Sequence, residues 1–244
     1  MTAVVGALVT TVADAARHLD VASGPDPRDR TSLPAPGLSY EDVVETLATE
    51  GLRARWSPDL GFAAVDPVVA GIAGEAASVL AEAAGLALDE EPVRLSDPVR
   101  TWLTGGAIDL WLGLEEGMWP GVADDVSLFV RRGLEQTADL PLPRTVEPLR
   151  RRAVLEAEVG ELFSEVDVLL TPTTAIPAFV AEGPPPAEIA GREVHPAMAT
   201  PFTMVANLCW NPSTSVPAGL MPDGLPIGLM ITAGLHRDDL CLRL

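Results

Sequence analysis

The chain has 244 residues, 48% of them hydrophobic and 21% charged, with a formal net charge of −19. This length allows one sizeable hydrophobic core and is short for two ordinary domains, while the apolar content excludes a disordered chain. Because acidic surfaces repel phosphate backbones and anionic lipids, we expect no nucleic-acid partner and no membrane partner.

The expected cellular compartment follows from the cysteines and the apolar stretches. Two cysteines are too few for the disulfide framework of a small secreted protein. The first nine residues are apolar but contain no basic residue, unlike a secretory signal peptide. No run of consecutive apolar residues approaches the roughly 18 of a membrane helix. We therefore expect a cytoplasmic protein.

The first third of the chain alternates helices and strands. A helix is predicted from its N-cap Thr11, and a short helix over 40–50. Alternating side chains over 52–56 predict a strand with one wet face. Asp66 and Pro67 then give the N-cap and first residue of the clearest helix.

That helix is predicted to bury one apolar stripe against the rest of the protein. Gly71 and Gly74 within it suggest close packing against a neighbour. A strand over 86–93 completes a strand–helix–strand unit, which is typical of a largely parallel sheet with helices on its faces. The predicted stripe consists of Val69, Ile72, Ala76, Val79 and Ala83.

Residues 96–139 are helical by pattern and hold several large aromatic side chains. One interpretation is an aromatic wall over a substrate pocket, to which Trp102 and Trp119 would contribute. The other is ordinary helix packing, since aromatic residues at helical spacing are usually core. A long helix over 145–166 follows and leads into the most informative part of the chain.

Three short apolar runs after residue 166 predict buried strands that end in tight loops. The first begins at Asp167 and is stopped by Pro172, with apolar residues on both faces. Runs over 215–219 and 225–231 predict two neighbouring strands joined by a turn at 222–224. Residues 181–196 are rich in proline and predict a rigid polar excursion.

Three motifs in this region occur in a specific order: DVLLTPT (167–173), PFTMVANLCWNPSTSVPAG (201–219) and DGLPIGL (223–229). In this order they resemble the carboxy-terminal half of the amidase-signature enzymes, and residues 4–32 resemble the same family. The resemblance implies a layered α/β/α fold with a mixed, largely parallel sheet. It also implies that residues 1–244 are a single partial domain, missing its amino-terminal half and the extreme carboxy-terminal helix.

The resemblance implies hydrolysis of carboxylic amides through a Ser–cis-Ser–Lys triad. In that family one serine attacks the carbonyl, a second serine in a cis peptide relays its proton, and a lysine is the base. This sequence contains no Gly/Ser-rich segment of that kind and no lysine, and arginine does not deprotonate in proteins. No catalytic residue is therefore assigned within the chain.

Substrate-binding candidates come from strand ends and loops, where α/β sheets present their ligands. For each of the three polar candidates, a side-chain hydrogen bond to the backbone is the competing explanation, and it is favoured for Asn207. The histidines lie far apart in sequence without partners at ligand spacing, so we expect no metal and no cofactor. The candidates are Thr171, Thr173, Asn207, Trp102 and Trp119.

Three functional hypotheses stay open. In the first, the parent enzyme hydrolyses a small-molecule amide and this chain is a truncated part, inactive alone. In the second, the chain is a non-catalytic binding or assembly subunit that pairs through an exposed sheet edge, either with its own copies or with a complementing amino-terminal half. The third, least favoured, is an independent hydrolase that uses His18 or His195 with a local serine.

Overall fold

A computed structural model describes residues 4–244, so the first three residues of the apolar amino-terminal stretch lie outside it. The helices are α1 Val12–Ala22, α2 Tyr40–Thr46, α3 Pro67–Ala84, α4 Val99–Gly113, α5 Leu128–Thr137, α6 Leu142–Glu165, α7 Pro201–Cys209 and α8 Asp238–Arg243, with a 3-10 turn at Pro196–Ala199. The strands are β1 Arg53–Trp56, β2 Ala87–Asp89, β3 Val168–Pro172, β4 Glu188–Ile189, β5 Arg192–Glu193, β6 Ser213–Leu220 and β7 Pro226–Ala233.

The main sheet is mixed, with strand order β2-β1-β3-β7-β6. The strands β2, β1 and β3 run parallel, whereas β7 is antiparallel to both β3 and β6. All five residues of β3 are buried, as predicted for a strand covered on both faces. The predicted hairpin is also confirmed, because Met221 and Leu225 close the turn around Gly224.

Helices cover both faces of this sheet, which confirms the layered α/β/α fold. On one face, α6 and α7 form the larger apolar cluster, with Leu155, Val159 and Phe202 in its interior. On the other face, α3 and α8 pack over β3 and β7 through a second cluster that includes Ala77 and Leu240. The site described below lies on the α6/α7 face.

The amino-terminal caps follow the sequence signals. The Thr11 side chain accepts a hydrogen bond from the Asp14 N–H, and the Asp66 carboxylate accepts from the N–H groups of Val68 and Val69. These bonds satisfy donors that a helix start leaves unpaired. The helices after these caps therefore begin where the sequence predicts.

The predicted stripe of α3 is confirmed only in part: Val69 is buried and Ile72 and Ala76 are partly buried against the apolar clusters, whereas Val79 and Ala83 are exposed. Val79 is 66% exposed, and the side chains that are buried lie at four-residue spacing. Small side chains at that spacing let the helix lie close to the sheet. They are therefore buried in place of the larger aliphatic side chains. Gly74 does pack closely, since a Cβ there would lie 3.3 Å from the Trp56 ring, but Gly71 faces open space. The buried residues are Val69, Ala73, Ala77 and Ala81.

By length and composition alone, α3 is apolar enough to cross a membrane. Helices that pack on a sheet meet the same criterion, and α3 contacts β3, β6 and β7 through its alanine side. The composition of this helix is therefore weak evidence for a membrane span.

Several predicted boundaries also differ. The helix predicted over 40–50 ends at Thr46, and the strand predicted over 86–93 contracts to β2. The expected wet face of β1 is wrong, because Ala54 and Arg55 are both buried. The excursion over 181–196 contains the small β4–β5 hairpin. The helix α7 was not predicted.

A buried arginine joins β1 to β2 and α6. The Arg55 side chain is only 9% exposed, and its nitrogens lie 2.7 Å from Asp89, 3.0 Å from Glu165 and 3.4 Å from Glu91. Burial raises the pKa of Asp89, but hydrogen bonds from Arg55 and from the Glu91 N–H outweigh it and lower the pKa of that carboxyl overall. The cluster thus holds the edge of the parallel strands to the end of α6.

We predict that Arg55→Met lowers the free energy of unfolding by about 1–3 kcal/mol, because it removes charge-assisted hydrogen bonds and leaves three carboxylates close together. Arg53→Met is the matched control, since Arg53 lies on the same strand but is 52% exposed in its ion pair with Asp167. It is expected to cost less than about 1 kcal/mol. Urea unfolding measures both, and equal losses would contradict the assigned role of Arg55.

The same cluster sets a pH dependence. A carboxyl whose pKa is lower in the folded state stabilises the fold above its unfolded pKa, and that contribution is lost as pH falls through the folded value. For Asp89 the loss begins near the ordinary value of 3.8 and continues below it. The unfolding free energy of Arg55→Met should therefore fall less steeply with decreasing pH in this range than that of the unaltered chain.

Two glycine substitutions test the local packing. Gly61 has a φ of 79°, and a Cβ there would lie 2.7 Å from the Val93 carbonyl oxygen, so Gly61→Ala should destabilise the fold by more than about 1 kcal/mol. Gly71→Ala, in open space on α3, should stabilise it by roughly 0.5–1 kcal/mol. Thermal unfolding of the two variants should shift in opposite directions, and a shift in the same direction would contradict this packing.

Candidate functional site

Three threonines surround the carboxyl end of β3. Thr171 is fully buried, and its hydroxyl donates to the Pro172 carbonyl oxygen at 3.0 Å. The Thr174 hydroxyl donates to the Ile176 carbonyl oxygen at 2.8 Å. Both hydroxyl hydrogens are therefore used by the backbone, which matches the local-bonding interpretation of Thr171. Thr173 differs, because its hydroxyl turns to another strand.

The Thr173 hydroxyl meets the hydroxyl of Ser215, with 2.6 Å between the two oxygens. Ser215 belongs to β6, and the intervening strand β7 contributes Gly228 between them. A Cβ on Gly228 would lie 2.6 Å from the Thr173 Oγ1 and 2.8 Å from the Ser215 Oγ. The bare glycine therefore makes room for this hydroxyl pair, which spans three strands.

A second hydroxyl pair lies two residues earlier on β6. The Ser213 Oγ is 2.9 Å from the Thr232 Oγ1, and Thr232 is 4% exposed in β7. Next to it, the Asn211 side-chain amide donates to the Ala233 carbonyl oxygen at 2.8 Å. The α6/α7 face of β6 thus carries hydroxyl groups at alternate residues, as the pleat of a strand requires.

Within residues 4–244, β6 pairs with β7 on one side only. The Thr173 N–H donates to the Gly228 carbonyl oxygen at 2.9 Å, so the peptide groups of Gly228 face β3. Successive residues of an antiparallel ladder face alternate neighbours. The peptide groups of Pro217, which lies opposite Gly228, therefore face away from β7, as do those of Ser215 and Ser213.

Pro217 has no N–H, so Ser213 and Ser215 supply the N–H donors of this part of the open edge. A proline is tolerated at such a position because it interrupts no bond to β7. The ladder is also irregular between Pro217 and Gly219. An additional strand could therefore pair with Ser213–Pro217 of β6. The same stretch carries the exposed hydroxyl groups.

The other predicted site residues lie elsewhere. Asn207 lies inside α7, so its placement at a strand end or in a loop is wrong, and it is Asn211 that bonds the backbone. Trp102 packs against the apolar cluster beneath α6. Trp119 contacts Trp111 edge-to-face, with ring centroids 5.9 Å apart. These contacts favour the packing interpretation of both tryptophans, while their role towards a substrate stays a prediction.

The cavity behind Thr171 is too small for a substrate. Its volume is about 10 Å³, which is room for roughly one water molecule. Five of its eleven lining residues are apolar side chains of α6 and α7, and Asn211 and Thr232 also line it. A substrate would therefore have to approach Thr173 and Ser215 from the solvent side.

The described part of the chain contains few other groups suited to chemistry. No group of three or more His, Cys, Asp or Glu residues within residues 4–244 is placed to hold a metal ion. Burial raises the pKa of both Cys209 and Cys241 to about 12, so neither forms a thiolate readily near neutral pH. The His195 Nδ1 accepts a hydrogen bond from the Ala197 N–H and caps the 3-10 turn.

Thr173 is among the residues predicted from sequence, whereas Ser215 is not. The pairing depends on the register of β3, β7 and β6, which no local pattern contains. Alternate serines on an edge strand, one of them diagonal to a glycine on the neighbouring strand, are the signal that could have indicated it.

Comparison with known proteins finds amidases among the relatives of this chain. Residues 128–242 match the family model described as Amidase. An acylamidase of Rhodococcus erythropolis is 30% identical over 98% of this chain and 50% of its own length. One subunit of the glutamyl-tRNA(Gln) amidotransferase of Synechococcus sp. (strain CC9311) is 26% identical over 98% of this chain and 53% of its own length.

Solved structures share the fold. A bacterial aryl acylamidase belonging to the amidase signature enzymes superposes with a TM-score of 0.81 at 24% identity, covering 96% of this chain and 50% of that one. A 6-aminohexanoate cyclic dimer hydrolase complexed with substrate gives a TM-score of 0.74 at 21% identity, covering 96% and 52%. The chain spans about half the length of the curated relatives it matches.

Proposed function

We take as premise that this chain belongs to the amidase-signature family, and we propose that it acts as the carboxy-terminal part of an enzyme that hydrolyses carboxylic amide C–N bonds. The observation that carries the proposal is the match of nearly the whole chain to half of an acylamidase. The relatives' names support an acyl amide as the substrate class. A small-molecule amide is therefore the proposed substrate.

The chemistry of the family supports a division of roles between this chain and the other half of the enzyme. The resemblance implies a serine nucleophile, a second serine in a cis peptide and a lysine base. Among the 244 residues there is no lysine, and arginine stays protonated at any working pH. We therefore place the nucleophile and its base outside these residues. What this chain contributes is half of the sheet, the surface beside Thr173 and Ser215, and the open edge of β6.

We predict that the isolated chain hydrolyses 4-nitroacetanilide no faster than buffer, because it holds no activated nucleophile. Adding the amino-terminal half of the Rhodococcus erythropolis acylamidase, which is expected to carry the serines and the lysine, should restore turnover above either part alone. Release of 4-nitroaniline measures both. The relative split at the equivalent position and remixed is the positive control.

Two results would contradict this proposal. One is a serine-dependent rate from the isolated chain. The other is a split relative that regains activity with its own halves but not with this chain.

The open edge of β6 favours a second function, that of a non-catalytic assembly subunit, because a strand with unpaired peptide groups on one side is a template for pairing with another chain. Apolar side chains near the amino terminus are also exposed, among them Val5 at 98% and Leu8 at 102%. The partner would be a second copy of this chain or a complementing amino-terminal half.

For the assembly function we predict a mass above that of the monomer in size-exclusion chromatography with light scattering. Ser213→Pro should shift the chain towards monomer, because it removes an N–H from the open edge while leaving the bonds to β7. Ser213→Ala removes only the hydroxyl and should keep the association. A stable monomer in all three cases would count against self-association.

A further inference from the structure

We infer that Thr173 and Ser215 together bind the neutral amide group of the substrate, which rests on the proposed amide hydrolysis and assigns it a contact surface. Neither hydroxyl is placed to act as a nucleophile, since within residues 4–244 neither has a basic partner. Their proposed role is positioning: they hold the amide while residues outside this chain attack it.

Gly228 leaves the space that the hydroxyl pair occupies. Its φ lies outside the left-handed region, so the backbone there would accept other residues without strain. Any Cβ, however, would come within 2.8 Å of both hydroxyl oxygens and force them apart. The glycine is therefore required by the hydroxyl pair and not by the turn or strand in which it lies.

The hydroxyl pair has a hydrogen available for a ligand. The pair has two hydroxyl hydrogens, and the contact at 2.6 Å uses one of them. The structure gives the other no acceptor within the described residues, unlike the hydroxyl hydrogens of Thr171 and Thr174, which go to backbone carbonyls. One O–H donor and several lone pairs are thus left for a ligand.

The position of the pair in the sheet also suits a ligand. Thr173 directly follows β3, at the carboxyl end of the parallel strands, where α/β sheets bind ligands. Ser215 is exposed beside it on the open strand. The pair can therefore be reached by a small molecule and lies next to the edge that the proposed second half would cover.

The chemistry of the pair fits an amide. An amide carbonyl accepts from a hydroxyl hydrogen, and an amide N–H donates to a hydroxyl lone pair. No charged side chain among the described residues bonds to either hydroxyl, so the contact offers nothing to neutralise an ionic group. A neutral carboxylic amide is therefore favoured over a carboxylate or an amine.

The test uses this full chain completed with the amino-terminal half of the Rhodococcus erythropolis acylamidase, and 4-nitroacetanilide as the probe. Thr173→Val and Ser215→Ala should each raise KM about 3- to 10-fold, the loss expected for one neutral hydrogen bond. Their kcat should fall less than kcat/KM. Thr173→Ser keeps the hydroxyl and should restore the KM.

Ser213→Ala is the matched control, because it removes a hydroxyl from the other pair on the same strand. Its KM should stay within about 2-fold of the unaltered assembly. Light scattering of each assembly shows whether the variants impair pairing of the two halves.

The outcomes separate the two proposals. An inactive completed assembly beside an active split relative overturns the proposed function, and this inference with it. If the assembly is active and the Thr173→Val and Ser215→Ala variants have the same KM as the Ser213→Ala control, the inference is overturned while the proposed function stands. Weakened pairing of the halves with an unchanged KM also overturns it, since the hydroxyls would then contact the partner segment.

Discussion

The burial of β3 is the constraint on which the rest of the structure depends. Its five residues are all buried, between α6 and α7 on one face and α3 on the other. It pairs in parallel with β1 and antiparallel with β7, so the parallel strands and the hairpin meet there. Its carboxyl end determines the position of Thr173. The pairing of β7 with β3 and β6 then determines the position of Ser215.

The parts of the fold that follow from local chemistry could be predicted from sequence. The run from Asp167 to Pro172, the turn before Leu225 and the cap at Asp66 are each determined by neighbouring residues. The buried side of α3 could not be predicted, because helix amphipathicity is ambiguous when alanine and valine are spread around it. The choice of Ala73 over Val79 depends on how closely the sheet approaches.

The site shows the same division. The position of Thr173 could be predicted, because it directly follows the proline that ends a predicted strand. Its partner Ser215 is 42 residues away and meets it only through the register of β7. Asn207 is predicted at a strand end or in a loop, although it lies inside the short helix that begins at Pro201. Features that depend on three strands at once lie beyond any window of the sequence.

We expect the sheet of the working protein to continue beyond β6, and amide hydrogen exchange at single-residue resolution tests this most directly. In the isolated chain the N–H groups of Ser213 and Ser215 should exchange quickly, whereas those of Thr214 and Val216, which face β7, should be protected. Addition of the amino-terminal half should slow exchange at Ser213 and Ser215 and leave the other two unchanged. Exchange at Ser213 and Ser215 that stays fast in an active assembly would contradict the claim.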